Sequence, residues 1–232
     1  MTFLELVQKL WQESGSTGSE SDTVVNQTGS AKQLVDWVAQ AYKDIIGRHS
    51  DWGWLHETLT FETVQAQAVH PFGTGAGTVG VERKDWKSWV PDSGRKWLTA
   101  VGTNSETFLP NENYWQWRNI YQFGANRNAY SAPLIHAIAP DESICLGPVP
   151  VSGYTVQMDY YRAINDDLAL DADVPDMPEE FHIAIMWLAL MSYAEYESAP
   201  EVYDRAKNHA GEWITRLESK WGPRIGWGGT LA

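Results

Sequence analysis

Apolar positions near both ends of the chain recur at spacings of three and four residues. This spacing places the apolar side chains on one side of a helix and therefore predicts amphipathic helices. The N-terminal part contains two such stripes, separated by a Ser- and Gly-rich run over 14–22, and the second stripe ends near Gly47. Their apolar positions are Phe3, Leu6, Val7, Leu10 and Trp11 in the first, and Leu34, Val38, Ala41, Tyr42 and Ile45 in the second.

The C-terminal part contains two further helix patterns of different character. Residues 181–191 are apolar on nearly every side, which predicts a helix buried from several directions. The next pattern is a narrow seam of Tyr203, Ala206, Ala210, Trp213 and Leu217. A capping-box pattern precedes each of the four helices and predicts where each begins. The four pairs are Thr2 and Glu5, Ser30 and Gln33, Asp176 and Glu179, and Ser198 and Glu201.

The middle of the chain changes to the two-residue period of half-buried strands. Apolar and polar residues alternate over 58–62 and again over 154–161, and short β-type runs occupy 134–138 and 144–146. The segments over 134–138, 144–146 and 154–161 follow one another closely in the chain, which predicts an antiparallel meander. A short helix is expected around Pro110 to Arg118.

Two helices at each end and strands between them predict an α+β fold of particular organisation. We expect a discontinuous helical bundle of residues 1–50 and 175–221, with an antiparallel β domain inserted over 51–174 and an extended C-terminal tail over 222–232. The return from the β domain is an acidic linker that closes at Pro175 and Pro178. This linker is the first part of a longer stretch, from 163 to 204, that contains eleven acidic residues and neither Lys nor Arg.

Charge and composition narrow the range of functions. The 232 residues include 30 acids and 17 bases, and a net charge of −13 argues against a surface that grips nucleic-acid phosphates or an anionic membrane. No run of about 18 apolar residues and no basic, apolar leader is present, so we expect neither a membrane span nor a cleaved signal. Because Cys145 is the one cysteine of the sequence, no intrachain disulfide can form, and we expect its side chain to be buried.

Three patterns resemble sites of bound ligands, and each has a simpler interpretation. The spacing of Gly75, Gly77 and Gly80 matches a dinucleotide-binding loop, but the flanking sequence lacks the required strand and helix, so we expect a surface loop. The acidic run over 171–176 has Pro175 where a calcium loop needs an oxygen ligand, which favours a solvated linker. The six histidines lack metal-ligand spacing. We therefore predict no enzyme activity, no catalytic residues, no cofactor and no metal.

Thirteen tryptophans and ten tyrosines are a clear excess of aromatic residues, which suggests large interfaces or stacking on sugars. Trp86, Trp89 and Trp97 could stack on sugars from one face of the β domain, or they could fill a core or a subunit interface. Trp115 and Trp117 are expected to be core or contact residues.

Longer segments of the sequence carry a family resemblance that spans nearly the whole chain. They are the opening Met-Thr-Phe-Leu-Glu-Leu-Val, residues 34–38, Asp-Trp-Gly-Trp at 51–54, Trp-Arg-Asn-Ile-Tyr-Gln-Phe-Gly-Ala-Asn-Arg at 117–127, residues 138–141 and 146–150, Ala-Asp-Val-Pro-Asp-Met-Pro-Glu-Glu-Phe-His at 172–182, and the closing Leu-Glu-Ser and Gly-Gly-x-Leu-Ala within 217–232. In these segments the chain resembles the head-to-tail adaptor, or connector, proteins of tailed bacteriophages.

The resemblance implies a structural virion protein. Relatives form a ring, usually of twelve copies, that joins the capsid portal to the tail and lines the conduit through which DNA is ejected. The implied partners are the portal protein, a tail or nozzle protein and further copies of the chain, with no membrane and no sequence-specific contact to DNA. The implied location is the head–tail interface of the virion, after assembly in the host cytoplasm.

In relatives a C-terminal extension docks against the portal. The matching residues here are Arg224, Ile225, Trp227 and Leu231, with Trp227 as the expected anchor. The alternative is a virion-associated module that binds glycans or degrades cell wall through its Trp-rich β domain.

Overall fold

The structure, a computed structural model, describes residues 1–15, 20–164 and 167–223. It confirms an α+β fold, with five α-helices and eleven strands in the described ranges. Backbone contacts divide the described chain into two compact units. The first comprises Met1–Trp54 and the chain from Ile164 onward, and the second comprises Leu55–Ala163.

The elements are numbered along the chain. The helices are α1 (Phe3–Ser14), α2 (Gly29–Gly47), α3 (Tyr114–Tyr121), α4 (His182–Tyr196) and α5 (Pro200–Trp221). The strands are β1 (His56–Glu62), β2 (Val69–His70), β3 (Trp86–Trp89), β4 (Arg95–Leu98), β5 (Thr107–Phe108), β6 (Asn111–Glu112), β7 (Tyr130–Ser131), β8 (Ile135–Ile138), β9 (Ile144–Gly147), β10 (Val149–Pro150) and β11 (Tyr154–Arg162). None of the helices in the described ranges is long and apolar enough to cross a bilayer.

Helix α4 is the centre of the first unit because three other helices pack against it. It contacts α1, α2 and α5, and its buried residues lie on more than one side of the helix, as its apolar sequence predicts. The seam on α5 is confirmed at Ala206, Ala210 and Leu217, but Tyr203 and Trp213 are only half-buried, and Ile214 is buried instead. The small side chains of Ala206 and Ala210 in that seam let α5 approach α4 closely.

One of the four predicted capping boxes forms. The Thr2 hydroxyl accepts the Glu5 backbone N–H at 3.3 Å, and the Glu5 carboxylate accepts the Thr2 N–H at 2.8 Å. The prediction is wrong for the other three helices. Helix α2 begins at Gly29, one residue before Ser30, so Ser30 lies inside the first turn.

The remaining two boxes fail for local backbone reasons. A 3-10 turn over Glu179–Phe181 precedes α4, and the Asp176 N–H donates to the Tyr42 hydroxyl instead of starting a helix. Ser198 has a φ of 54°, a left-handed conformation that the extended backbone of an N-cap does not permit. Helix α5 begins instead with Pro200 in its first turn, where a missing N–H costs nothing.

The second unit contains three sheets. The largest has the order β1-β11-β4-β5, with β3 also paired to β11. A second sheet has the order β2-β9-β8-β6, and a two-stranded parallel sheet joins β10 to β7. The predicted meander is therefore wrong in part, because β8 and β9 form a hairpin whereas β11 belongs to the other sheet. Pro148 directly follows β9 and lacks the N–H that would continue its ladder.

The alternation in β1 and β11 identifies their shared core face correctly. Leu59 lies opposite Met158 and Phe61 lies opposite Val156, and all four side chains are buried in one cluster.

Helix α3 begins later than predicted, because the Asn113 side chain accepts the Trp115 N–H at 2.9 Å and caps the helix there.

The core of the second unit also encloses a histidine. His70 is fully buried, and its ring lies 4.9 Å from that of Phe61 between centroids. Burial lowers the pKa of His70 from 6.5 to about 4, because desolvation penalises the imidazolium. The unfolded chain therefore binds this proton more readily than the folded chain does, and stability is lost as the pH falls from 6.5 towards 4.

We predict that His70→Phe removes part of the acid sensitivity of folding. Between pH 7.5 and pH 5 the native chain should lose about 2 kcal/mol of unfolding free energy through this residue, and the variant should lose that much less. Urea unfolding at both pH values measures the difference. The same substitution at His209, an exposed position stacked on Trp187, is the matched control for the change from His to Phe itself. Equal slopes in native protein and His70→Phe would contradict the prediction.

Candidate functional site

The predicted docking residues Arg224, Ile225, Trp227 and Leu231 lie outside the described residues. The structure does describe the point from which that segment leaves the first unit. Helix α5 ends at Trp221, and Gly222 and Pro223 follow it. We call these three residues the tail root.

An aromatic cluster holds the tail root. The ring of Trp221 meets that of Trp54 edge-on at 6.3 Å, Trp54 stacks on Trp52 at 4.5 Å, and His49 lies edge-on to Trp52 at 4.7 Å between centroids. Trp52 is fully buried. Since edge-on and offset contacts are the favoured arrangements of aromatic rings, the cluster fixes the last turn of α5 against the chain that follows α2.

Hydrogen bonds of the indoles join the cluster to two further backbone segments. The Trp54 Nε1–H donates to the Asp176 carbonyl at 3.1 Å, and the Trp52 Nε1–H donates to the Ile46 carbonyl at 3.3 Å. Segments far apart in sequence thus meet beside Trp221. The Trp221 Nε1–H is buried and has no hydrogen-bond partner among the described residues.

Glycine makes room for this packing on both sides. A Cβ on Gly53 would lie 3.2 Å from the Trp221 ring. The Gly222 N–H donates to the Glu218 carbonyl at 2.9 Å, and a Cβ on Gly222 would lie 2.4 Å from that same oxygen. The φ of Gly222 is −67°, so it is lack of space and not backbone conformation that requires glycine there.

Charged side chains surround the last turn of α5. The Glu218 carboxylate lies 3.6 Å from the Arg48 guanidinium and 3.5 Å from the His49 imidazole. Lys220 pairs with Glu180 at 2.6 Å. These groups are partly exposed, so each pair contributes little to stability.

The acidic linker binds backbone N–H groups. One Asp171 carboxylate oxygen accepts the Val24 N–H at 2.6 Å and the Thr23 hydroxyl at 3.0 Å. The Asp173 carboxylate accepts the N–H groups of Leu170 and Ala169, which lower the pKa of its carboxyl group. Among the described residues no group of three or more His, Cys, Asp or Glu side chains is placed to hold a metal ion.

The glycine-rich stretch lies between two short elements and precedes no helix. It follows the two-residue strand β2, closes through a bridge between Gly73 and Val81, and leads into a 3-10 turn over Arg83–Asp85. Without a strand that leads directly into a helix N-terminus, the loop does not have the geometry of a dinucleotide-binding turn.

The Trp-rich stretch does not form one exposed platform. Trp86 is buried in the core cluster of the second unit, and Trp89 packs against that cluster and stacks on Phe72 at 5.8 Å. Trp97 is half-buried on β4. The hollow beside Trp86 and Trp89, of about 380 Å³, has Glu142 as its one carboxylate, whereas glycoside cleavage commonly uses a pair.

Sequence reasoning missed the residues that hold the tail root, above all Trp54, Trp221 and Gly222. Two tryptophans that flank a glycine at 52–54 are a signal of close packing, but the sequence does not indicate which distant residue they contact.

We predict opposite effects for two glycines of the C-terminal part of the chain. Gly222→Ala should lower the free energy needed to open the last turn of α5 by about 1 kcal/mol, because the added Cβ has no room there. Amide exchange in that turn should become about fivefold faster. Gly211→Ala, whose Cβ meets no atom within 4 Å, should stabilise α5 by about 0.5–1 kcal/mol. Hydrogen-exchange mass spectrometry and thermal unfolding measure both effects. A last turn in Gly222→Ala that exchanges at the native rate would disprove the steric argument.

Comparison with known protein families matches residues 1–226 to the family described as SU10 adaptor protein. A search of curated proteins finds no match to the chain. The family match covers both units, the tail root and the first residues of the segment beyond it, and it confirms the resemblance found in the sequence. The chain belongs to the SU10 adaptor protein family, a family of phage head–tail adaptors.

Proposed function

We propose that this protein forms a ring that joins the capsid portal to the tail of a bacteriophage, and that its C-terminal segment docks on the portal. Membership of the adaptor family over residues 1–226 is the observation that carries the proposal. The anchored end of α5 supports it, because a docking segment acts on its partner only if its base is fixed to the rest of the protein.

The proposed organisation is a discontinuous helical domain of residues 1–50 and 175–221, a β domain inserted over 51–174, and a docking tail over 222–232. The division of contacts into two units, with a boundary at Trp54 and another at Ala163, supports this organisation. The helical domain would carry the tail, since α5 leads directly into the tail root.

The docking tail would bind as a short segment that orders on its partner. Ile225, Trp227 and Leu231 offer apolar side chains within a run that contains four glycines from 222 to 229, and Arg224 adds a charge. Glycine raises the entropic cost of ordering, so most of the binding energy must come from a few buried side chains. A buried tryptophan commonly dominates a small interface, at roughly 2–4 kcal/mol, which makes Trp227 the proposed anchor.

The acidic charge of the chain suits a conduit for DNA. A net charge of −13 repels the phosphate backbone, so duplex would slide through the ring without sequence-specific contacts. The proposed role is structural, with the portal protein, a tail or nozzle protein and further copies of the chain as partners. The proposed location is the virion, after assembly in the host cytoplasm.

We predict that deletion of residues 224–232 abolishes joining to the portal and leaves thermal unfolding nearly unchanged. The deletion keeps Gly222 and Pro223, so the last turn of α5 and its aromatic cluster stay intact. Co-sedimentation with purified portal rings measures the binding, and calorimetry measures the stability.

Two further chains make this experiment selective. Replacement of 224–232 by nine Gly and Ser residues keeps the length of the tail and should fail to bind like the deletion. Trp227→Ala should weaken binding, whereas Tyr196→Ala, at an aromatic residue that is 61% exposed in the first unit, should bind normally. Truncated protein that still co-sediments with portal would place the docking surface elsewhere.

A further inference from the structure

An exposed cation–π cluster lies on and beside α3. Trp115 and Phe123 are 58% and 51% exposed, and the Arg118 guanidinium carbon lies 5.8 Å and 5.7 Å from their ring centroids. Arg118 forms no ion pair with the described residues. Residues 113–140 contain two arginines and no acid, although the whole chain is strongly acidic. We call Trp115, Arg118 and Phe123 the α3 patch.

A hollow at the turn from α4 to α5 has the opposite character. Its volume is about 390 Å³, and it is lined by Ala194, Glu195, Ser198, Ala199, Pro200, Tyr203 and Asp204. The carboxylates of Glu195 and Asp204 are exposed and have no hydrogen-bond or ion-pair partner in the part of the chain that the structure describes. We call this site the α4–α5 hollow.

The two surfaces complement each other in charge, and both offer apolar area. The α3 patch offers two large rings and a guanidinium, and the α4–α5 hollow offers an apolar floor beside two carboxylates. Arginine and aromatic residues are enriched where proteins bind one another, and contiguous exposed apolar surface marks such sites. A guanidinium already held between two rings also loses little freedom on binding a carboxylate.

We propose that the α3 patch of one copy of this chain binds the α4–α5 hollow of the next copy. Arg118 pairs with Glu195 and Asp204, while Trp115 and Phe123 cover the apolar floor. Each copy carries both surfaces, and both are exposed within one chain, so every copy can bind one neighbour on each side. Such a head-to-tail contact closes into a ring when its rotation permits. The inference rests on the proposed ring and names the contact that builds it.

Cysteine cross-linking tests this contact directly. The native Cys145 is fully buried, and burial raises the pKa of its thiol to about 12, so the native chain supplies an unreactive background. A double variant, Asn119→Cys on α3 and Ser198→Cys in the hollow, should give a ladder of products beyond dimer when oxidised on portal rings. A mixture of the two single variants should stop at dimer, because each chain then carries one reactive partner.

Charge reversal gives the second test. Arg118→Glu in the double-cysteine chain should lower the yield of the ladder at least about tenfold, and so should Glu195→Lys with Asp204→Lys. All three reversals in one chain should restore most of the yield. Lys32→Glu, a base-to-acid change at an exposed position of α2, is the matched control and should leave the yield unchanged. Circular dichroism verifies that each chain is folded.

The outcomes separate this contact from the proposed ring. Rings of the double-cysteine chain that form on the portal but give no ladder would overturn the α3 contact and leave the adaptor function in place. Products that stop at dimer, or cross-links from α3 to the portal, would also overturn it. If the native chain forms no ring on portal at all, the proposed function fails and this inference fails with it.

Discussion

The burial of helix α4 is the constraint on which the first unit depends. From His182 to Ala194 the helix has almost no polar side, and every residue in that range is buried or half-buried, so this part of the helix must be covered by other elements. The helices that cover it come from both ends of the chain, α1 and α2 from the N-terminal side and α5 from the C-terminal side. Both ends of the chain therefore contribute to the burial of α4, whereas residues 55–163 form a unit with a core of their own.

Hydrogen bonds from the acidic linker also hold the helices of the first unit together. The carbonyls of Asp171 and Asp173 accept the N–H groups of Leu4 and Phe3 at the start of α1, and the Asp171 carboxylate binds the segment before α2. The acidic linker thus ties the N-terminal helices to the chain that enters α4. At the C-terminal end of α5, the contact between the rings of Trp54 and Trp221 ties that helix to the chain that follows α2.

The sequence predicted elements more reliably than their partners. Helical and strand periodicity found the buried faces of α1, α2, α4, β1 and β11, because the period is a local property. It did not indicate that β11 pairs with β1, β3 and β4, since the same alternation fits any neighbouring strand. Capping patterns failed at Ser30, Asp176 and Ser198, where backbone geometry outweighed the local preference. The contact of Trp54 with Trp221 spans most of the chain and has no local signature.

The central proposal is that copies of this chain form a ring on the portal, and we further propose that the free chain does not close into that ring without the portal. Electron cryo-microscopy of the purified protein, alone and mixed with portal rings, tests this most directly. We expect single copies or small, open assemblies in the first sample. In the second we expect a closed ring seated on the portal, with the segment after Trp221 ordered against it. A closed ring without portal, or a portal that stays bare in the mixture, would contradict the proposal.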